Sequence, residues 1–108
     1  MNEPDYLIPG VQEFVEGEAR AFRIAVSRYP SGATLASPSV AVYNAATGAN
    51  VTASYTSTTS GTVGATYVQW DAVTFDDAGD FRVHLSVNVN GNRRTDVQRC
   101  KVTSAGDA

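Results

Sequence analysis

Apolar and polar residues alternate with a period of two along most of this chain and follow a helical period nowhere. The clearest run comes late, where Phe81, Val83, Leu85, Val87 and Val89 interleave with Arg82, His84, Ser86, Asn88 and Asn90. Ten residues of strict alternation amount to about 33 Å of half-buried strand. Asn90-Gly91 follows at once, the preferred pair for a two-residue hairpin turn because both positions tolerate positive φ. A return strand over 93–103 is predicted. Its phase slips between Val97 and Cys100, which reads as a bulge near Gln98.

Earlier segments repeat the pattern more briefly. Residues 18–28 place Phe22, Ile24 and Val26 on one face and Arg23, Ala25 and Ser27 on the other, as a half-buried strand does. Short strands are expected at 12–15 and 40–43. Val51, Ala53 and Tyr55 resume the period of two; Thr66, Val68 and Trp70 share a face that Val73 and Phe75 continue. Turn signals stand between these runs at Glu16-Gly17, at Pro30, Gly32 and Pro38, and over 44–48. The polar stretch 56–64 reads either as an extended loop or as the tip of a long hairpin.

About seven strands with a turn every eight to twelve residues predict an all-β fold, an antiparallel two-sheet sandwich. A small closed barrel is the other arrangement the pattern allows. The sandwich is expected to span 12–103, with a short tail at 104–108. Residues 1–11 read as an extended N-terminal arm, because Pro4 and Pro9 flank the apolar knot Tyr6-Leu7-Ile8 and discourage helix. The arm either reaches a neighbour's groove or sheet edge, or folds back as the first strand of its own sandwich.

Composition narrows this further. The chain's 108 residues suffice for one core and not two. Valine and alanine dominate, with only three leucines, Leu7, Leu35 and Leu85, a balance that suits a pleated surface better than a helix. The formal charge of −3 argues against a free-standing nucleic-acid binder. Acidic residues crowd the beginning and the stretch Asp71, Asp76, Asp77 and Asp80, while Arg93, Arg94, Arg99 and Lys101 make the last segment basic. Such a surface is either solvated with mixed signs or a pair of edges that match head to tail between copies. No secretory leader or membrane span is apparent, so synthesis and folding in a reducing cytoplasm are expected.

Candidate chemistry is thin. His84 is the only histidine and lies on the polar face of its strand. Cys100, the only cysteine, allows no intrachain disulfide; it meets His84 only if the last two strands align suitably, and a buried core thiol is the alternative. No Gly-x-Ser-x-Gly elbow or glycine-rich phosphate loop occurs. Asp76, Asp77 and Asp80 lack the spacing of a calcium hand and read as turn residues. No catalytic residue, metal or cofactor is therefore expected.

One local motif speaks to fold. Asp77-x-Gly79-x-Phe81-x-Val83 resembles the Asp-x-Gly-x-Tyr-x-Cys run that enters strand F of immunoglobulin-like sandwiches, with Phe81 at the tyrosine and Val83 at the cysteine position. Phe81 has no hydroxyl, so the hydrogen bond of the tyrosine corner cannot form. The order of segments from Glu16-Gly17-Glu18 and Phe22-x-Ile24-x-Val26, through Val40-Ala41-Val42-Tyr43, to Asn90-Gly91-Asn92-Arg93-Arg94 and Cys100-Lys101-Val102 is similar to small immunoglobulin-like domains of tailed-phage virions, including the N-terminal domain of baseplate upper proteins. The resemblance spans roughly 13–103 and specifies strand order and turns rather than a site.

That resemblance implies a non-enzymatic virion protein: a capsid decoration, a head–tail joining protein or a tail-associated protein. It would be made in the host cytoplasm, present in many copies or as a homo-oligomer, with other capsid or tail proteins as partners and neither nucleic acid nor membrane. Contacts are expected from Tyr6, Leu7 and Ile8 of the arm, from Thr58 and Thr59 of the polar loop, and from Arg93 and Arg94 of the last hairpin. The competing reading is a glycan-binding or adhesion module that stacks sugars on Tyr43, Tyr55 or Tyr67, with Asn88, Asn90 and Asn92 as hydrogen-bonding partners.

Overall fold

The computed structural model describes residues 10–104. In chain order the elements are β1 (Val11–Val15), β2 (Ala19–Arg20), β3 (Arg23–Ala25), a 3-10 turn (Val26–Arg28) and β4 (Leu35–Asn44). There follow α1 (Thr52–Tyr55), β5 (Gly61–Val63), β6 (Tyr67–Trp70), β7 (Val73–Thr74), β8 (Gly79–Val89) and β9 (Asn92–Thr103). The fold is all-β and sandwich-like. A four-stranded sheet, β1-β9-β8-β4, shares one core with the smaller sheets β3-β6-β5 and β2-β7.

The β8–β9 hairpin dominates. Asn90 (φ 51) and Gly91 (φ 85) make the predicted two-residue turn, and pairing continues without a break from Val89↔Asn92 to Gly79↔Val102. No bulge occurs at Gln98. The ladder keeps its register, Gln98 itself takes the inward position at 0% exposure, and Val97 turns outward at 44%. The buried amide donates from Nε2 to two backbone carbonyls, those of Arg99 (2.9 Å) and Gly10 (3.4 Å). A slip in hydropathy was thus a polar residue in the core, not a slip in geometry. The ladder does shift elsewhere, between Ala36 and Ser39 of β4, where Ser37 adopts φ 54.

Three further expectations are corrected. The main sheet is mixed rather than antiparallel, because β1 pairs parallel to β9. After Val15 the chain crosses to the other sheets instead of turning back, so β1 meets a strand running its own way. The strand expected over 18–28 breaks in two: β2 pairs with β7 and β3 with β6, since their partner strand is itself interrupted at Asp71-Ala72, and the chain ends in the 3-10 turn. Phe22 and Ile24 still face inward, as their spacing requires.

The strand expected at 51–55 is one helical turn, α1. Val51 packs against the core and Tyr55 is buried, while Ala53 between them is exposed. The informative spacing was four residues, not two. These changes raise the count from about seven strands to nine named strands among the described residues.

The polar stretch after α1 is tied down. Val40 N–H donates to the Thr59 carbonyl, Ser60 and Asp71 bond reciprocally, and Gly61–Val63 pairs antiparallel with β6. Gly61 passes so close to β6 that a Cβ there would sit 2.4 Å from the Gln69 carbonyl oxygen.

Trp70 shares the buried cluster with valines of β4, β6, β7, β8 and β9, and its Nε1 donates to the Ser86 carbonyl at 3.0 Å. Towards the end of the sandwich where β8 begins, aromatic rings take over. Phe14 stacks on Phe75 at 4.6 Å and meets Phe22 edge-on at 6.1 Å. Phe81 joins Phe75 to Tyr55, which lies edge-on at 5.2 Å. The Tyr55 hydroxyl donates to Asp77 Oδ2 at 2.7 Å, so the aspartate of the Asp-x-Gly-x-Phe run holds a tyrosine from α1.

Candidate contact surfaces

Alternation on β8 and β9 sends one set of side chains into the core and the other onto the outer face of the four-stranded sheet. Register arranges the outer set in rows across the strands. One row reads Glu13, Lys101, Asp80, with charges that alternate in sign. The next reads Val11, Arg99, Arg82, Tyr43, and here two arginines stand directly opposite each other. Like charges at opposed positions repel. Among the described residues neither guanidinium has a carboxylate partner within ion-pair distance.

Apolar surface frames this pair. Val11, Val15 and Val97, three of the exposed large apolar residues, belong to the same face. Val97 is the cross-strand partner of His84, whose ring lies 4.5 Å from Tyr43. Partial burial, and then the charge of Arg82, lower the His84 pKa below its ordinary value. Exposed valine, arginine and a half-buried aromatic pair make the mixture typical of a protein contact.

The expected contact residues are scattered. Tyr6, Leu7 and Ile8 lie outside the described residues. Arg93 is an internal clamp: its guanidinium donates to the Ser37 carbonyl (2.6 Å), to Asn88 Oδ1 (3.1 Å) and to Ser39 Oγ, fixing the irregular start of β4. Arg94 lies over the Tyr29 ring at 5.0 Å and 3.3 Å from Asp96 Oδ2. Thr58 and Thr59 are exposed, but their backbone is held by Thr56 Oγ1 and Val40 N–H. Thr58 and Thr59 flank β4, Arg93 reaches β4 across β8, and Arg94 belongs to the loop end.

At that end, the β3–β4 connection and the β5–β6 turn enclose an open cleft of about 610 Å³, lined in part by Val26, Tyr29, Leu35, Thr66 and Tyr67. Asn90 anchors the β8–β9 turn to Thr34 through two hydrogen bonds. The Tyr29 hydroxyl is buried without a hydrogen-bond partner among the described residues, and burial with the nearby Asp96 charge pushes its pKa up to about 12. The Arg23 guanidinium covers the Tyr67 ring at 4.5 Å. Tyr55 is in the core and presents no face for stacking a sugar.

His84 and Cys100 are not brought together. His84 faces outward opposite Val97, whereas Cys100 faces inward opposite Phe81. Burial pushes the thiol up to about 12, so it stays protonated and poorly nucleophilic at neutral pH. Asp77 binds Tyr55 as described. Among the described residues no group of three or more His, Cys, Asp or Glu side chains could hold a metal ion, and no helix is long and apolar enough to cross a membrane.

Sequence reasoning missed Arg82 and Arg99, although the signal was present. A two-residue turn at Asn90-Gly91 fixes hairpin register, and counting eight residues back from Asn90 and eight forward from Gly91 lands on this pair. No protein-family model, curated protein or solved structure matches the chain.

Proposed function

We propose that this chain is a non-enzymatic structural protein of a tailed-phage virion, an immunoglobulin-like sandwich that acts through protein–protein contacts. The contact role is supported above all by the outer sheet face, where Arg82 and Arg99 oppose each other among exposed valines. The immunoglobulin-like reading is supported by the order β1-β9-β8-β4 sharing a core with β3-β6-β5, and by Asp77 holding Tyr55 just before Phe81. The virion setting is supported by the sequence resemblance.

Gradient sedimentation of lysate from the native source, with mass spectrometry locating the chain, tests this. Co-sedimentation with large particles is expected; recovery only as free chain would overturn it. Removing residues 2–9 should leave the sandwich folded and abolish incorporation. The deletion should stop there, since the Gly10 carbonyl accepts from Gln98 and Val11 opens β1.

The cleft beside Tyr67 favours a second reading, a glycan-binding module. A glycan array on which wild type binds and a Tyr67→Ala variant does not would put that reading first.

A further inference from the structure

We propose that the outer face of the four-stranded sheet is the seat of the N-terminal segment, residues 2–9, of a second copy of this chain. This rests on the contact role above and names the partner. Four cations, Arg82, Arg93, Arg99 and Lys101, share this face with two carboxylates, Glu13 and Asp80, although the whole chain carries −3. Arg93 is engaged by Ser37, Ser39 and Asn88, and Lys101 stands between Glu13 and Asp80. The surplus positive charge is therefore concentrated at the exposed, opposed pair Arg82 and Arg99.

The segment has the chemistry that this pair and its apolar rim call for. Residues 2–9 carry Glu3 and Asp5, contain no lysine, arginine or histidine, and include the apolar run Tyr6-Leu7-Ile8. Pro4 and Pro9 favour an extended course, in which Glu3, Asp5 and Leu7 project to one side about 6.6 Å apart. Neighbouring strands stand about 4.8 Å apart, so a segment laid along the row Arg82, Arg99, Val11 brings one carboxylate to each guanidinium and Leu7 to Val11. Two charge-assisted pairs then replace one repulsion, while Val11 and Val97 supply apolar area around them. A second copy supplies the segment because a chain's own segment is tethered on the wrong side. The Gly10 carbonyl accepts from Gln98 Nε2, a side chain of the inner face, so the chain is tied on the core side of the sheet where β1 begins. Each copy offers one segment and one seat, so copies exchange segments in a pair or continue into a ring or a chain.

Sedimentation velocity of the full chain tests this. Wild type should associate with increasing concentration, and added salt should reverse it. Arg82→Glu/Arg99→Glu and Glu3→Arg/Asp5→Arg should each be monomeric while retaining the wild-type circular dichroism spectrum. Their mixture should associate again, because the acidic segment of one variant meets the basic face of the other and the reversed segment meets the reversed face. Should the face variant fail to fold, Arg82→Gln takes its place, with association expected to weaken about tenfold.

A wild type monomeric at low salt, a face or segment variant that associates like wild type, or a mixture that stays monomeric overturns the proposal; a segment seated on its own sheet would give the first and the last of these. A wild type that is monomeric yet co-sediments with particles overturns the self-contact and leaves the virion role standing. A wild type that associates through these residues but is absent from particles does the reverse.

Discussion

The two faces of the β8–β9 hairpin are built from the same strands and treated in opposite ways. On the inner face the buried positions are resolved: Phe81, Val83, Leu85, Val87, Cys100 and Val102 are packed, and the hairpin's one fully buried polar residue, Gln98, donates to backbone carbonyls, while Asp96 and Arg94 of the same phase meet each other at the loop end. On the outer face an arginine pair stands unrelieved in one row while the neighbouring row alternates in sign. Alternation decides which residues share a face, but it does not require that a solvated face be internally satisfied. Burial settles the inner face, whereas the outer face keeps a repulsion that its own ladder does not relieve.

The sharpest way to break the comparison is through the inner face. Trp70→Ala removes the largest fully buried side chain together with its bond to Ser86, and should cost about 3–5 kcal/mol. Against the roughly 5–15 kcal/mol of a typical domain, that leaves little margin, and urea denaturation should show it as a large fall in midpoint. A mild effect would mean the core is organised around the phenylalanines instead. Gln98→Leu asks whether the inner face needs its amide. Leucine fills the space but strands two carbonyls, so a loss of about 1–2 kcal/mol is expected, with faster amide exchange in β1. A stabilised variant would show the amide to be merely tolerated.

How far these faces could be read from sequence differs with the element. The phases of β8, β6 and β1 were legible, because each presents one buried face and the ladder enforces a period of two. The phase of β9 was obscured by Gln98, whose burial depends on Gly10, a residue 88 positions away. Val51 and Tyr55 satisfied two periods at once, and the hydroxyl partner at Asp77 decided for a helical turn. The parallel β1–β9 pairing depends on where the chain crosses between sheets, which local pattern does not encode. Arg93 seemed a contact residue because exposed arginines usually are. Its partners, Ser37 and Ser39, come from an irregularity in β4 that no spacing signals.

Alkaline pH should separate buried from exposed groups more gently. Burial, the hydrogen bond to Asp77 and the charges of Asp77 and Asp76 push Tyr55 up to about 12 from 10.0; burial does the same to Cys100 from 9.0. In each case the unfolded chain releases its proton first as pH rises. Their contribution to stability is therefore intact below the ordinary values and is lost between about pH 9 and 12. Tyr55→Phe keeps the ring against Phe81 but removes the donor. It should cost about 1 kcal/mol at neutral pH and flatten the alkaline fall in the denaturation midpoint. An unchanged slope would assign the fall to Cys100 and Tyr29.

The smallest effect is the most telling for the outer face. Arg82→Glu places a carboxylate directly opposite Arg99, turning a cross-strand repulsion into an attraction between exposed groups. Pairs of this kind contribute roughly 0.2–1 kcal/mol, so the variant should be as stable as wild type or about 0.5 kcal/mol more so, as read from paired denaturation curves at low salt, and the difference should shrink as salt is added. Under the proposed contact role the same change should weaken binding through this face. A substitution that strengthens the fold while weakening the contact would separate the demands on the two faces within one strand. A destabilised variant would instead mean that Arg82 already serves its own sheet.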